Sequence, residues 1–111
     1  MGTDSSCPFA TQYNMWREVV FFQKCVGVSN AYALSVATLN NAKLMGLDNV
    51  CGTVEEGKSA DMIVMSKNPL DDLTALRDLD KVIVRGDVID KPLPKRNETI
   101  EKELDDITKK I

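Results

Sequence analysis

The chain has 111 residues, of which 43% are hydrophobic and 28% charged, with a formal net charge of −3. That length allows one domain with a modest core and excludes a large enzyme barrel. Charges of both signs are interspersed, so nothing marks a nucleic-acid or anionic-membrane surface, and no apolar run approaches the ~18–20 residues that span a bilayer.

Residues 1–13, with Gly2, Thr3, Asp4, Ser5, Ser6 and Pro8, read as a loop. The opening has neither a basic n-region nor an apolar core, so no signal peptide is expected. A first helix is predicted over about Asn14 to Val26, with Asn14 as its N-cap. Its apolar residues Trp16, Val19, Val20, Phe21, Phe22, Cys25 and Val26 cover most of the helical circumference. A second helix is predicted over about Ala31 to Met45, capped by Ser29 or Asn30 and stopped by Gly46. Lys43 is the only charge inside it. Two short helices so apolar demand partners on several sides, which points to a piece of a larger structure or to self-association.

Short strands follow. Gly52-Thr53-Val54 reads as a brief extended piece, Glu56-Gly57 as a turn and Asp61 to Met65 as a buried strand. Asp71 to Arg77 allows a single helical turn. Lys81 to Arg85 and Val88-Ile89 read as a hairpin joined through Gly86-Asp87. The tail from about Asn97 to Ile111 predicts a helix of another kind. Ile100, Leu104, Ile107 and Ile111 form a narrow stripe suited to docking in one groove, flanked by the i, i+4 pairs Lys102–Asp106, Asp105–Lys109 and Asp106–Lys110.

Histidine is absent altogether. Ser–His and Cys–His nucleophiles and H-E-x-x-H zinc sites are therefore impossible within this chain, and any catalysis must use carboxylates and lysines or residues carried elsewhere. Cys7, Cys25 and Cys51 are odd in number, widely spaced and without a C-x-x-C. They read as reduced thiols acting as small hydrophobes, and with the absent signal peptide they place the protein in the cytoplasm. Lys58 and Asp61 read as turn chemistry, with Asp61 bonding local backbone, rather than as a catalytic pair. Arg85-Gly86-Asp87 reads as a hairpin turn rather than an adhesion tripeptide. Asn97-Glu98-Thr99 fits a glycosylation sequon that matters only outside the cytosol.

Four segments in order carry a stronger signal: A-T-L-N-N-A-K-L-M-G-L from Ala37, then G-T-V-E-E-G-K-S-A-D-M-I-V-M, N-P-L-D-D-L and V-I-V-R-G-D-V-I. Their succession over about residues 1–90 resembles the end of the amidohydrolase superfamily, in the branch of imidazolonepropionase-like and prolidase-like hydrolases. The resemblance implies an α+β fragment: the last two helices of a metal-dependent (β/α)8 hydrolase barrel, the carboxy-terminal strands of its small β-sandwich and a terminal amphipathic helix. Residues 1–46 would end the barrel, residues 47–93 would be the chain's share of the sandwich, and residues 94–111 the terminal helix.

Within that resemblance Asp4, in the Gly-Thr-Asp position after the eighth barrel strand, matches a residue that binds a divalent metal, expected to be zinc, and shuttles a proton from the attacking water. The remaining ligands would come from strands outside this chain, so the fragment alone is expected to hold no metal and to be inactive. The parent would cleave C–N bonds of a small cyclic amide or dipeptide-like substrate. The alternative is a free-standing, non-enzymatic assembly protein of the same fold. Either way the apolar helices predict self-association, with no nucleic acid or membrane as partner.

Overall fold

The computed structural model describes residues 1–4 and 11–111. Helix α1 spans Met15–Val26, preceded by a 3-10 turn at Gln12–Asn14. It stops at Gly27, whose φ of 76° lets its N–H reach the Gln23 carbonyl. Ser29 caps α2 (Asn30–Ser35) by accepting from the Tyr32 N–H at 3.2 Å. A π-helical segment, Val36–Asn40, then leads directly into α3, Asn41–Leu44. The predicted second helix is thus one rod with a wide turn in its middle. Gly46, at φ 69°, ends it, and the Leu47 N–H bonds back to the Ala42 carbonyl at 2.8 Å, six residues to one.

Three short strands form one antiparallel sheet in the order β1 (Met62–Val64), β2 (Lys81–Val84) and β3 (Asp87–Asp90). The hairpin turn consists of Arg85-Gly86, one residue earlier than expected, with Val84 opposite Asp87. Both turn residues have positive φ, 49° and 88°, the pairing that matches the right-handed twist of a two-residue hairpin. Gly52-Thr53-Val54 joins no ladder; Gly52 packs against the rod, while Val54 is exposed. Gly52 is needed there: a Cβ would stand 2.7 Å from that of Ala42, and φ is 98°. Between β1 and β2 the predicted helical turn is a 3-10 segment, Leu73–Arg77, capped by Asp72.

The core joins Trp16, Val19 and Val20 of α1 to Ala33 of α2 and Leu73 of the 3-10 turn. Large apolar residues remain outside it. Val26 is 60% exposed, Leu44 83% and Met45 71%. In the sheet, neighbours Ile63 and Val64 are both exposed, as are Val88 and Ile89. Consecutive strand residues face opposite sides, so this sheet presents apolar side chains on both faces and covers neither.

The terminal helix α4, Glu98–Lys110, is capped by Asn97, which accepts from the N–H groups of Thr99 and Ile100. Its docking face is not the predicted isoleucine stripe. Leu104 is buried, but Ile107 and Ile111 are about half exposed, and the residues turned to the protein are Glu101, Leu104, Asp105 and Thr108. They meet Arg17 of α1, which is 2% exposed. Its guanidinium donates to Glu101 Oε2 at 3.0 Å, Asp105 Oδ1 at 2.6 Å and Thr108 Oγ1 at 3.1 Å. Arg77 of the 3-10 turn reaches both Asp105 oxygens at 3.2 Å and Glu101 at 3.5 Å. Asn14 donates to the other Glu101 oxygen at 2.8 Å, so its side chain ties α1 to α4 instead of capping α1. Both guanidiniums also lie over the Trp16 ring, at 4.4 and 5.5 Å from its centroid.

Removing one partner of such a buried network leaves uncompensated charge behind. Arg17→Met should therefore cost about 3–5 kcal/mol of unfolding free energy, read from urea denaturation. Acid should act on the same contact. Burial pushes the Asp105 carboxyl up, but its bonds to Arg17 and Arg77 outweigh that and hold it below the ordinary aspartate value. A carboxyl depressed on folding contributes stability above its unfolded pKa of about 3.9 and loses it as pH falls through the folded one. The urea midpoint should fall more steeply below about pH 4 in the unaltered chain than in Asp105→Asn.

Candidate functional site

The amino-terminal residues hold the one position with a predicted chemical role. Residue 1 is clasped by the rod: the Met1 nitrogen donates to Asn41 Oδ1 at 2.6 Å, and Asn41 Nδ2 donates to the Met1 carbonyl at 2.9 Å. The same Nδ2 reaches the Ala37 carbonyl, one turn back across the π segment, at 3.4 Å. The Asn41 amide thus holds residue 1 by accepting from its terminal ammonium and donating to its carbonyl. Three residues on, Asp4 is exposed and has φ 48°, a left-handed conformation that aspartate tolerates better than most side chains. The carboxylate thus stands at the surface, on a segment whose start is fixed to α3.

Zinc takes about four ligands, and among the described residues no group of three or more His, Cys, Asp or Glu could hold an ion. Cys7 lies outside the described residues. Cys25 is exposed and Cys51 half-buried, so neither is an interior hydrophobe, and neither is in a disulfide.

The turn residues behave as their chemistry suggests. Asp61 accepts from the Arg85 N–H at 2.9 Å and pins the hairpin turn to β1. The Ser59 hydroxyl and that backbone bond hold its carboxyl below the ordinary range. Lys58 pairs instead with Glu55, at 2.8 Å, and with Thr53. Lys58 and Asp61 therefore serve separate contacts and form no acid–base pair.

The charged junction around Arg17 escaped the sequence reading, although a signal was present. Glu101 and Asp105 are like charges at i, i+4, a spacing that destabilises an isolated helix unless a cation lies between them. Asn41 gave no such sign, because its role depends on where the chain start passes. Two larger hollows flank the junction. One, of about 1010 Å³, runs between the sheet and α4 past Val82, Ile89, Pro92 and Leu93. The other, of about 680 Å³, opens above Trp16.

A model of the amidohydrolase family matches residues 1–89. An imidazolonepropionase from Thermoplasma acidophilum is 41% identical over 59 residues, 50% of this chain and 14% of that protein. A 5-methylthioadenosine/S-adenosylhomocysteine deaminase from Teredinibacter turnerae is 46% identical over 39 residues, 35% of this chain and 9% of that protein. Among solved structures, a Bifidobacterium longum protein provisionally named a prolidase superposes with a TM-score of 0.90 and 42% identity. The match covers 97% of this chain and 26% of that one. A Xaa-Pro dipeptidase with methionine bound in its active site gives a TM-score of 0.64 and 33% identity over 68% of this chain and 18% of its own. The chain thus spans about a quarter or less of the length of each of these proteins.

Proposed function

The chain belongs to the amidohydrolase family, and on that premise we propose that it is the carboxy-terminal portion of a metal-dependent hydrolase acting on carbon–nitrogen bonds. The observation that carries this reading is the prolidase likeness, which extends over 97% of this chain at 42% identity yet occupies only 26% of the other. Residues 1–46 would close a (β/α)8 barrel, residues 47–93 would contribute to a β-sandwich completed by other strands, and residues 94–111 would lock the two together through α4. The exposed apolar faces of the rod and of the sheet support that division, because both need cover that this chain does not carry.

In the parent, Asp4 would stand at the mouth of the barrel, where barrel enzymes gather their chemistry. A divalent metal, zinc by expectation, would supply an activated water there when the remaining ligands, from strands outside this chain, are present. The Asp4 carboxylate takes a proton from the water attacking the substrate carbonyl and returns it to the leaving amine as the C–N bond breaks. The substrate class is a small cyclic amide or a dipeptide-like molecule. The cytoplasm is the expected compartment. Among the described residues no helix is long and apolar enough to cross a membrane.

The same uncovered surface supports a second reading, in which the chain acts on its own as a small assembly protein. Leu44 and Met45 at the end of the rod are 83% and 71% exposed, more than a monomer in water favours.

Metal content and hydrolysis of a dipeptide ending in proline should be measured for this chain and for the intact protein encoded with its upstream sequence. The chain alone should hold less than stoichiometric zinc and be inert. The intact protein should be active, and its Asp4→Asn variant should lose roughly 10²–10⁴-fold in kcat with its fold intact. Tight metal binding and turnover by the chain alone would sink the reading. Sedimentation should find the isolated chain as a dimer or larger species. A monomer at all concentrations would remove self-association.

A further inference from the structure

The hollow of about 680 Å³ above Trp16 lies where α1, the loop after β1, the 3-10 turn and α4 meet. It draws three lysines from three of these elements: Lys24 from α1, Lys67 from the loop and Lys109 from α4. Lys24 donates to the Thr108 carbonyl at 3.1 Å, and among the described residues none of the three is in an ion pair. Of the other charges in the lining, Arg77 is matched by Asp105, and Asp78 offsets a single ammonium. One further carboxylate, Asp72, accepts from the Thr74 N–H at 2.9 Å and also lies in the field of Lys67 and Lys24, so it offsets part of a second ammonium. The hollow therefore keeps a positive surplus, within a chain whose net charge is −3.

Three ammonium groups balanced by fewer carboxylates leave a net positive field, which a cleft with protein walls concentrates. Lysines serving only solubility gain nothing by converging from three elements on one hollow. Trp16 also lines the hollow, while its indole Nε1 is shut off from solvent and has no acceptor among the described residues. The Ser66 hydroxyl adds another donor to the lining. The volume falls within the ~300–1,000 Å³ of small-molecule sites.

We propose that this hollow binds a small oxyanion carrying two or more negative charges, a phosphate or a dicarboxylate, between Lys24, Lys67 and Lys109. The site shares no residue with Asp4, and the inference does not rest on the hydrolase reading.

Trp16 is the only tryptophan, so its emission reports on the hollow. The purified chain should be titrated at constant ionic strength with inorganic phosphate and, in a parallel arm, with succinate, using sodium chloride as the reference. Calorimetry reads the same titrations should the emission stay unchanged. A saturable response to either anion is expected, weakened about tenfold or more in the Lys67→Glu, Lys109→Glu double variant. Both lysines are exposed, and circular dichroism checks that the variant stays folded. If it does not, Lys67→Gln with Lys109→Gln replaces it. Response to phosphate alone identifies a phosphate-bearing ligand, and response to succinate alone a dicarboxylate. Responses no larger than that to chloride, or undiminished affinity in the folded double variant, would overturn the proposal.

Discussion

Arg17 is the residue on which the arrangement of this chain turns. It is a guanidinium placed on an apolar helix and closed off from water, and such a group is tolerable only if each of its nitrogens finds an acceptor. Glu101, Asp105, Thr108 and Asn14 meet them, and Arg77 balances the second carboxylate. Two guanidiniums, two carboxylates and the Trp16 ring thereby fuse three separate stretches of chain into one junction. Remove the junction and α4 retains a single well-buried apolar side chain, Leu104, as its hold on the protein. The helix thus stays in place by charge complementarity more than by hydrophobic burial, with the directionality and the sensitivity to pH that this brings.

That economy of apolar burial contrasts with the rest of the surface. The rod and both faces of the sheet expose large hydrophobic residues, while the chain's own helix docks through polar contacts. Both facts suit a protein segment whose apolar faces belong to neighbours and whose terminal helix must find one address. A nonspecific apolar stripe on α4 would compete for those faces, whereas a guanidinium–carboxylate junction has one geometric solution. The amidohydrolase membership and the small fraction of each relative that this chain spans fit the same picture.

Much of the fold was legible from residue order. Gly27 and Gly46 stop the helices, Ser29 and Asn97 start them, and the run from Lys81 to Asp90 turns where glycine permits positive φ, one residue earlier than expected. Such features rest on backbone conformations that one or two residues govern, and they survive without tertiary information. The family could be read from motif order as well. Asp4 could be singled out by its Gly-Thr-Asp setting, but among the described residues no group of three or more His, Cys, Asp or Glu could hold an ion, and local sequence does not say which residues would surround it.

What lay beyond the sequence was every feature decided by which surfaces meet. The isoleucine spacing of α4 pointed to an apolar docking stripe, yet the helix lies rotated so that Glu101 and Asp105 face inward. Periodicity measures only a helix's own apolar moment, and a buried guanidinium 84 and 88 residues away outweighs it. The clasp of residue 1 by Asn41 and the convergence of Lys24, Lys67 and Lys109 on one hollow have the same origin. Local sequence determined most of the elements, several of their ends and the family. Long-range pairing of charge and shape, which costs chain entropy and is repaid only on contact, determined how they face one another.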